Sequence, residues 1–115
     1  MVRGSRMIDF EIVKFRKAPR LGWFLTVENT GSEPIYGASI DVKVKYADGT
    51  TSSELLSVDD IDPGEKTRSH LTLLRPAASI KLFRLTMVKH DYSDTRENQL
   101  DLTYRKKLVG WEKVD

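Results

Sequence analysis

The sequence predicts an all-β fold, an antiparallel sandwich, on three observations. Between Trp23 and Tyr46 two alternating runs flank a turn cluster, Asn29-Thr30-Gly31-Ser32-Glu33-Pro34. Trp23, Leu25 and Val27 share one face of the first run; Ala38, Ile40, Val42, Val44 and Tyr46 share one face of the second. A period of two marks a strand with one buried face, whereas a helix would scatter these residues around its circumference. Turn signals also recur every roughly 8–12 residues, the spacing of a sandwich. Finally, 115 residues, 39% of them apolar, form one domain without cysteine. Such a chain can bury roughly two-thirds of its unfolded surface and needs no disulfide staple.

Taken in order, Met1 to Arg6 read as a vector-derived leader, residues 7–109 as the sandwich and 110–115 as a tail. Arg6 to Lys17 is the first strand: Ile8, Phe10 and Ile12 are in one phase, Val13 and Phe15 in the other, and the switch marks either a bulge or a strand that changes sheets. Lys17-Ala18-Pro19-Arg20 connects it to a second strand over Leu21 to Glu28, and a third follows over Ile35 to Tyr46. Asp48-Gly49 is a hairpin turn, because both residues tolerate positive φ. The polar return strand, Thr50 to Leu56, suits a sheet edge. Asp62-Pro63-Gly64-Glu65 is a second turn, with proline presetting φ and glycine supplying the left-handed position. Lys66 to Leu74 follows, with Leu71 and Leu73 inward and His70 outward. Ile80 to Val88 has a helical competitor over Pro76 to Met87, yet its β-favouring end selects strand. Asp91 to Asn98 reads as a polar loop and Gln99 to Leu108 as the last strand, with Trp111 partly ordering the tail through its ring. Seven to eight short strands favour an immunoglobulin-like β-sandwich over a small barrel.

Three local patterns occur in order: Val27-Glu28-Asn29-Thr30-Gly31, Tyr46-Ala47-Asp48-Gly49 and Ile61-Asp62-Pro63-Gly64-Glu65. Together they resemble the FxLYD-type and cell-adhesion-related (CARDB-type) modules of prokaryotes. The resemblance covers about residues 21–75, and it departs from the first type where Phe83-Arg84-Leu85 is followed by Thr86-Met87 in place of Tyr-Asp. It implies a non-catalytic binding or spacer module outside the cytoplasmic membrane, within a cell-envelope protein. It implies no shared catalytic or ligand residues.

Net charge is +2, from 19 basic and 17 acidic residues, so no overall field draws in nucleic acid or an anionic membrane. No apolar run reaches the roughly 18–20 residues of a membrane helix, so no direct membrane insertion is expected of this segment. Enzyme signatures are missing: no G-x-S-x-G elbow, Walker loop or G-x-G-x-x-G occurs, and neither His70 nor His90 lies in a nucleophile or metal motif. No cofactor is expected, and the partner is expected to be a protein.

Two constellations are candidate sites. Asp59, Asp60, Asp62 and Glu65 could supply hard oxygens to calcium, although the Pro63-Gly64 turn explains their clustering without an ion. Asp91, Asp94 and Glu97 invite the same idea within a solvated loop. The basic residues Lys14, Arg16, Lys17 and Arg20, with Arg105, Lys106 and Lys107, offer a surface for single-stranded nucleic acid or another polyanion, and Trp111 a partner contact. Alternation points Arg16 opposite to Lys17 and Arg105 opposite to Lys106, so about half of these charges can share a face. A solvated face is therefore expected, without binding to single-stranded DNA, RNA or heparin at physiological salt.

Overall fold

The computed structural model describes residues 8–20, 22–88, 95–107 and 110–114; among these, eight strands form two antiparallel sheets and no helix occurs. The strands are β1 (Phe10–Lys17), β2 (Gly22–Asn29), β3 (Ala38–Tyr46), β4 (Thr51–Val58), β5 (Lys66–Thr72), β6 (Ala77–Val88), β7 (Thr95–Lys106) and β8 (Trp111–Val114). One sheet has the order β1-β2-β5 and the other β4-β3-β6-β7-β8. Successive strands cross between sheets at β2–β3, β4–β5 and β5–β6, the wiring of an immunoglobulin-like sandwich. The helical competitor over Pro76 to Met87 loses to β6, whose neighbours β3 and β7 satisfy both sides of its backbone.

The core follows the alternation. Trp23, Leu25 and Val27 from one sheet meet Ile40, Val42, Val44 and Tyr46 from the other, and all are buried. Leu71 and Leu73 are also buried while His70 is exposed, as their phase requires.

Bulges account for the phase switch in β1 and for a second one in β6. In β1 the register steps from Ile12↔Val27 to Lys14↔Thr26, which leaves Val13 unpaired and 42% exposed while Phe15 is buried. In β6 the step from Leu82 to Arg84 occurs against both neighbours, around Phe83. Ile80 and Leu82 therefore share the core with Leu85 and Met87, although their sequence phases differ. An extra residue flips every following side chain, so one strand fills one face from two phases.

Several boundaries move. The third strand begins at Ala38, and Ile35 instead makes an isolated bridge to Ile61. Thr95 to Asn98, expected in a loop, opens β7; the acidic pair Asp91 and Asp94 lies outside the described residues, as does His90. Residues 111–114, expected in a tail, form β8 against the end of β7. Residues 1–6, expected to be vector-derived, lie outside the described residues.

Buried polar side chains hold one end of the sandwich. Asn29 donates from Nδ2 to the carbonyls of Glu33 (2.8 Å) and Ile61 (2.9 Å), and its Oδ1 accepts from Gly31 N (2.9 Å). Its backbone N–H and carbonyl bond Glu65 and Gly64, so one residue ties the loop after β2 to the Pro63-Gly64 turn. Asn98 presents its amide to Ile8 like a neighbouring strand, with Nδ2 to the Ile8 carbonyl and Oδ1 from the Ile8 N–H, both 3.0 Å. Buried Arg96 ion-pairs with Glu33 at 2.9 Å.

Candidate functional site

The opposite end of the sandwich carries an aromatic cluster. Phe15 stacks on Trp23 with centroids 4.8 Å apart, Tyr104 tilts against Phe15 at 5.0 Å, and Trp111 meets Trp23 edge to face at 4.6 Å. These rings come from β1, β2, β7 and β8, so they join the two sheets. Burial raises the Tyr104 hydroxyl above its ordinary pKa.

Beside the cluster lies a recess of about 210 Å³ with an apolar floor of Trp23, Leu73, Pro76 and Ala77 and a wall made by Trp111. Lys17, Arg20, Arg75 and Lys106 ring it. Each cation has a local reason to be there. Lys17 pairs with Trp23 in the β1–β2 register, and its Nζ donates to the carbonyls of Ala18 (3.0 Å) and Arg20. Arg20 sits in the hairpin turn at φ 63°, the one described non-glycine residue with positive φ. Arg75 lies 4.1 Å over the Tyr46 ring, donates to Thr50 Oγ1 at 2.7 Å and ion-pairs with Asp48 at 3.2 Å. Lys106 lies opposite Trp111 in the β7–β8 register.

The predicted basic cluster is thus divided. Lys17 and Lys106 come together at the recess, whereas Lys14 and Arg16 pair with Thr26 and Phe24 on the outer face of the three-stranded sheet. Arg105 is engaged by Glu112 at 2.8 Å, and Lys107 is exposed, its backbone N–H bonded to the Gly110 carbonyl. Sequence reasoning missed Arg75 because it precedes a proline in a connection, where no strand phase aims a side chain.

Asp60 Oδ1 accepts from Gly37 N at 3.1 Å, and the Asp62 backbone carbonyl closes the turn by accepting from Glu65 N at 3.0 Å. Among the described residues no three His, Asp or Glu side chains converge as metal ligands.

The sheet edges differ in protection. Edge β1 carries the Val13 bulge with Lys14, Arg16 and Lys17; edge β5 carries Lys66, Arg68 and His70; edge β8 has four residues. Edge β4 has eight residues, pairs with β3 without a register break, and carries Glu54 as its one charge. Leu55 on it is 63% exposed.

No protein-family model and no curated protein matches the sequence. Solved structures do resemble the fold. The archaellum periplasmic stator protein FlaG from Sulfolobus acidocaldarius is 10% identical with a TM-score of 0.50, over 82% of this chain and 100% of that one. IrmA from Escherichia coli is 14% identical with a TM-score of 0.51, over 78% and 84% of the two chains. The structural-genomics target SoR45 is 14% identical with a TM-score of 0.51, over 89% and 86%. At these identities what is shared is the fold, and the chain takes its place among small all-β sandwich modules. The FxLYD-type and CARDB-type resemblance finds no counterpart in these matches.

Proposed function

We propose that this chain is a non-catalytic binding module that presents its β4 edge to a strand of a protein partner. The carrying observation is the contrast among edges: a bulge, cationic side chains or brevity blunts β1, β5 and β8, and none of these protects β4. An unpaired edge offers a row of backbone donors and acceptors, and proteins block such rows unless they use them. A partner strand would hydrogen-bond along β4, with Leu55 as the apolar contact that sets specificity. The buried polar residues support a structural interior, because Asn29, Asn98 and Arg96 hold loops and strand ends together. An envelope location in a prokaryote accords with the resemblance to FxLYD-type and CARDB-type modules and with a fold shared with a periplasmic stator protein.

The test is site-specific photo-crosslinking in native cells, with the probe at Ser53 or Leu55 on β4, or at Arg68 or His70 on β5. Discrete adducts from β4 that vanish on adding Ser57→Pro are expected. Equal adducts from β5, or none from β4, would sink the proposal.

A further inference from the structure

We infer that the recess between Trp23 and Trp111 is a binding site for a small amphiphilic anion, a phosphate or sulfate carried on an apolar or aromatic body. This rests on a different surface from β4 and stands independently of the strand-presenting role. The polar side chains of the lining are one-sided in their hydrogen bonding. Lys17, Arg20, Arg75 and Lys106 offer donors, and their side chains hold no acceptor. Asp48, the carboxylate that ion-pairs with Arg75, is also engaged by both the backbone and side chain of Thr50. Among the described residues, no carboxylate ion-pairs with Lys17, Arg20 or Lys106.

A neutral, hydroxyl-rich ligand needs acceptors as well as donors, and these side chains would leave its hydroxyl protons unmatched. An oxyanion is acceptor-only and matches the lining, and Arg75 is already oriented by Tyr46 and Thr50. The floor asks for something else. Trp111 and Pro76 keep exposed apolar surface over the buried Trp23, Leu73 and Ala77, and that surface favours an apolar or aromatic body, which an inorganic ion lacks. Size narrows the choice: about 210 Å³ lies below the roughly 300–1,000 Å³ of a drug-sized pocket, so the body is of single-ring dimensions. Arg20 adds a further sign. A non-glycine residue held at φ 63° is strained, and here the strained residue brings a cation to the rim.

Phenyl phosphate is the probe, followed through the indole N–H resonances of the two tryptophans, with inorganic phosphate and benzyl alcohol as comparisons. Phenyl phosphate should shift both indole signals and bind at least ten-fold tighter than either comparison, with affinity falling as salt rises. Two variants check the assignment. Lys106→Glu changes an exposed strand residue, and Arg20→Gly removes a charge while relieving the positive φ, so both should fold; each should weaken binding at least ten-fold. Lys43→Glu, an exposed charge reversal on β3 away from the recess, should bind as the wild type does. A second arm uses vesicles: co-sedimentation with phosphatidylglycerol but not phosphatidylcholine assigns the anion to a lipid headgroup, and binding of phenyl phosphate alone assigns it to a free molecule. Unmoved indole signals at millimolar probe, or undiminished binding in folded Lys106→Glu and Arg20→Gly, would overturn the site.

Discussion

Trp23 of β2 and Trp111 of β8 meet edge to face, with ring centroids 4.6 Å apart and planes at 90°. One belongs to the three-stranded sheet and the other to the last strand of the five-stranded sheet, so the contact closes one end of the sandwich. Trp23 is 1% exposed. Trp23→Ala should therefore destabilise the domain by about 3–5 kcal/mol, the range for emptying a large aromatic site. Trp111→Ala should weaken it less, and a double-mutant cycle should give a coupling of about 0.5–1.5 kcal/mol. Denaturant melts of the two single variants and the double variant measure both quantities, and additive losses would mean that the rings do not support each other.

Asn29 shows where the sequence was legible and where it was not. The Val-x-Asn-Thr-Gly pattern marked a turn correctly, because asparagine bonds its own backbone two residues on, as Oδ1 does to Gly31 N. Nothing local revealed that Nδ2 reaches Ile61, 32 positions away. Asn29→Ala removes both bonds donated by Nδ2, one to the part-buried Glu33 carbonyl and one to the buried Ile61 carbonyl, which keeps the Ile35 N–H, and should cost about 1–3 kcal/mol at roughly 0.5–1.5 per hydrogen bond. Asn29→Asp should be no better at neutral pH, since a carboxylate would face the same carbonyls. Thermal melts of both variants decide this; a near-wild-type Asp variant would contradict the donor role.

The same contrast holds across the fold. Alternation predicted the inward faces of β2, β3 and β5 because each runs without a break between its turns. It failed at Arg96 and Asn98, where polar residues read as a loop and in fact enter β7 as buried partners of Glu33 and Ile8. Polarity reports exposure only when a side chain has no partner across the fold, and such partners are distant in sequence. For the same reason the strand phases of Lys17 and Lys106 were readable while their meeting with Arg20 and Arg75 was not.

Gly49 stands at φ 90° with nothing within 4 Å of an added Cβ. The site is open, so any penalty on substitution comes from the backbone alone. Gly49→Val should cost about 1–2 kcal/mol or more, because a β-branched residue resists this region, and Gly49→Asn should be milder. Gly31 offers the contrasting case: its Cβ would come 2.8 Å from Asp9 Cβ, so Gly31→Ala should destabilise by collision. Equal melts for Gly49→Val and Gly49→Asn would show that backbone conformation does not control this turn.

The Asp48 carboxylate is held below its ordinary pKa of 3.8 first by the Thr50 hydroxyl, then by the Thr50 N–H, with Arg75 adding to both. A pKa depressed in the folded state contributes stability above the unfolded value, and that contribution is lost as pH falls through the folded value. Asp48→Asn should therefore be less stable than wild type at neutral pH, with the gap closing below about pH 3.8. The group is exposed, so the gap should be small and should shrink in high salt. Urea melts at several pH values test this, and a gap unchanged by acid would remove Asp48 as its cause.

The bulge in β1 permits an unusual deletion. Ile12 pairs with inward Val27 and Lys14 with outward Thr26, while Val13 between them has no partner. Removing Val13 would place Ile12 and Lys14 in succession, which is the alternation that their partners already require. Both faces would keep their side chains, whereas removing a paired residue such as Phe15 would turn its neighbours to the wrong side. The Val13 deletion should therefore fold with a stability change within about 1 kcal/mol, and the Phe15 deletion should lose more than about 3 kcal/mol. Bulges also keep edges from pairing, so the Val13 deletion should self-associate more at high concentration, while adding Glu11→Lys should restrain it. Denaturant melts and sedimentation velocity read the two effects. A Val13 deletion as damaging as the Phe15 deletion would show that the register step lies elsewhere in the strand.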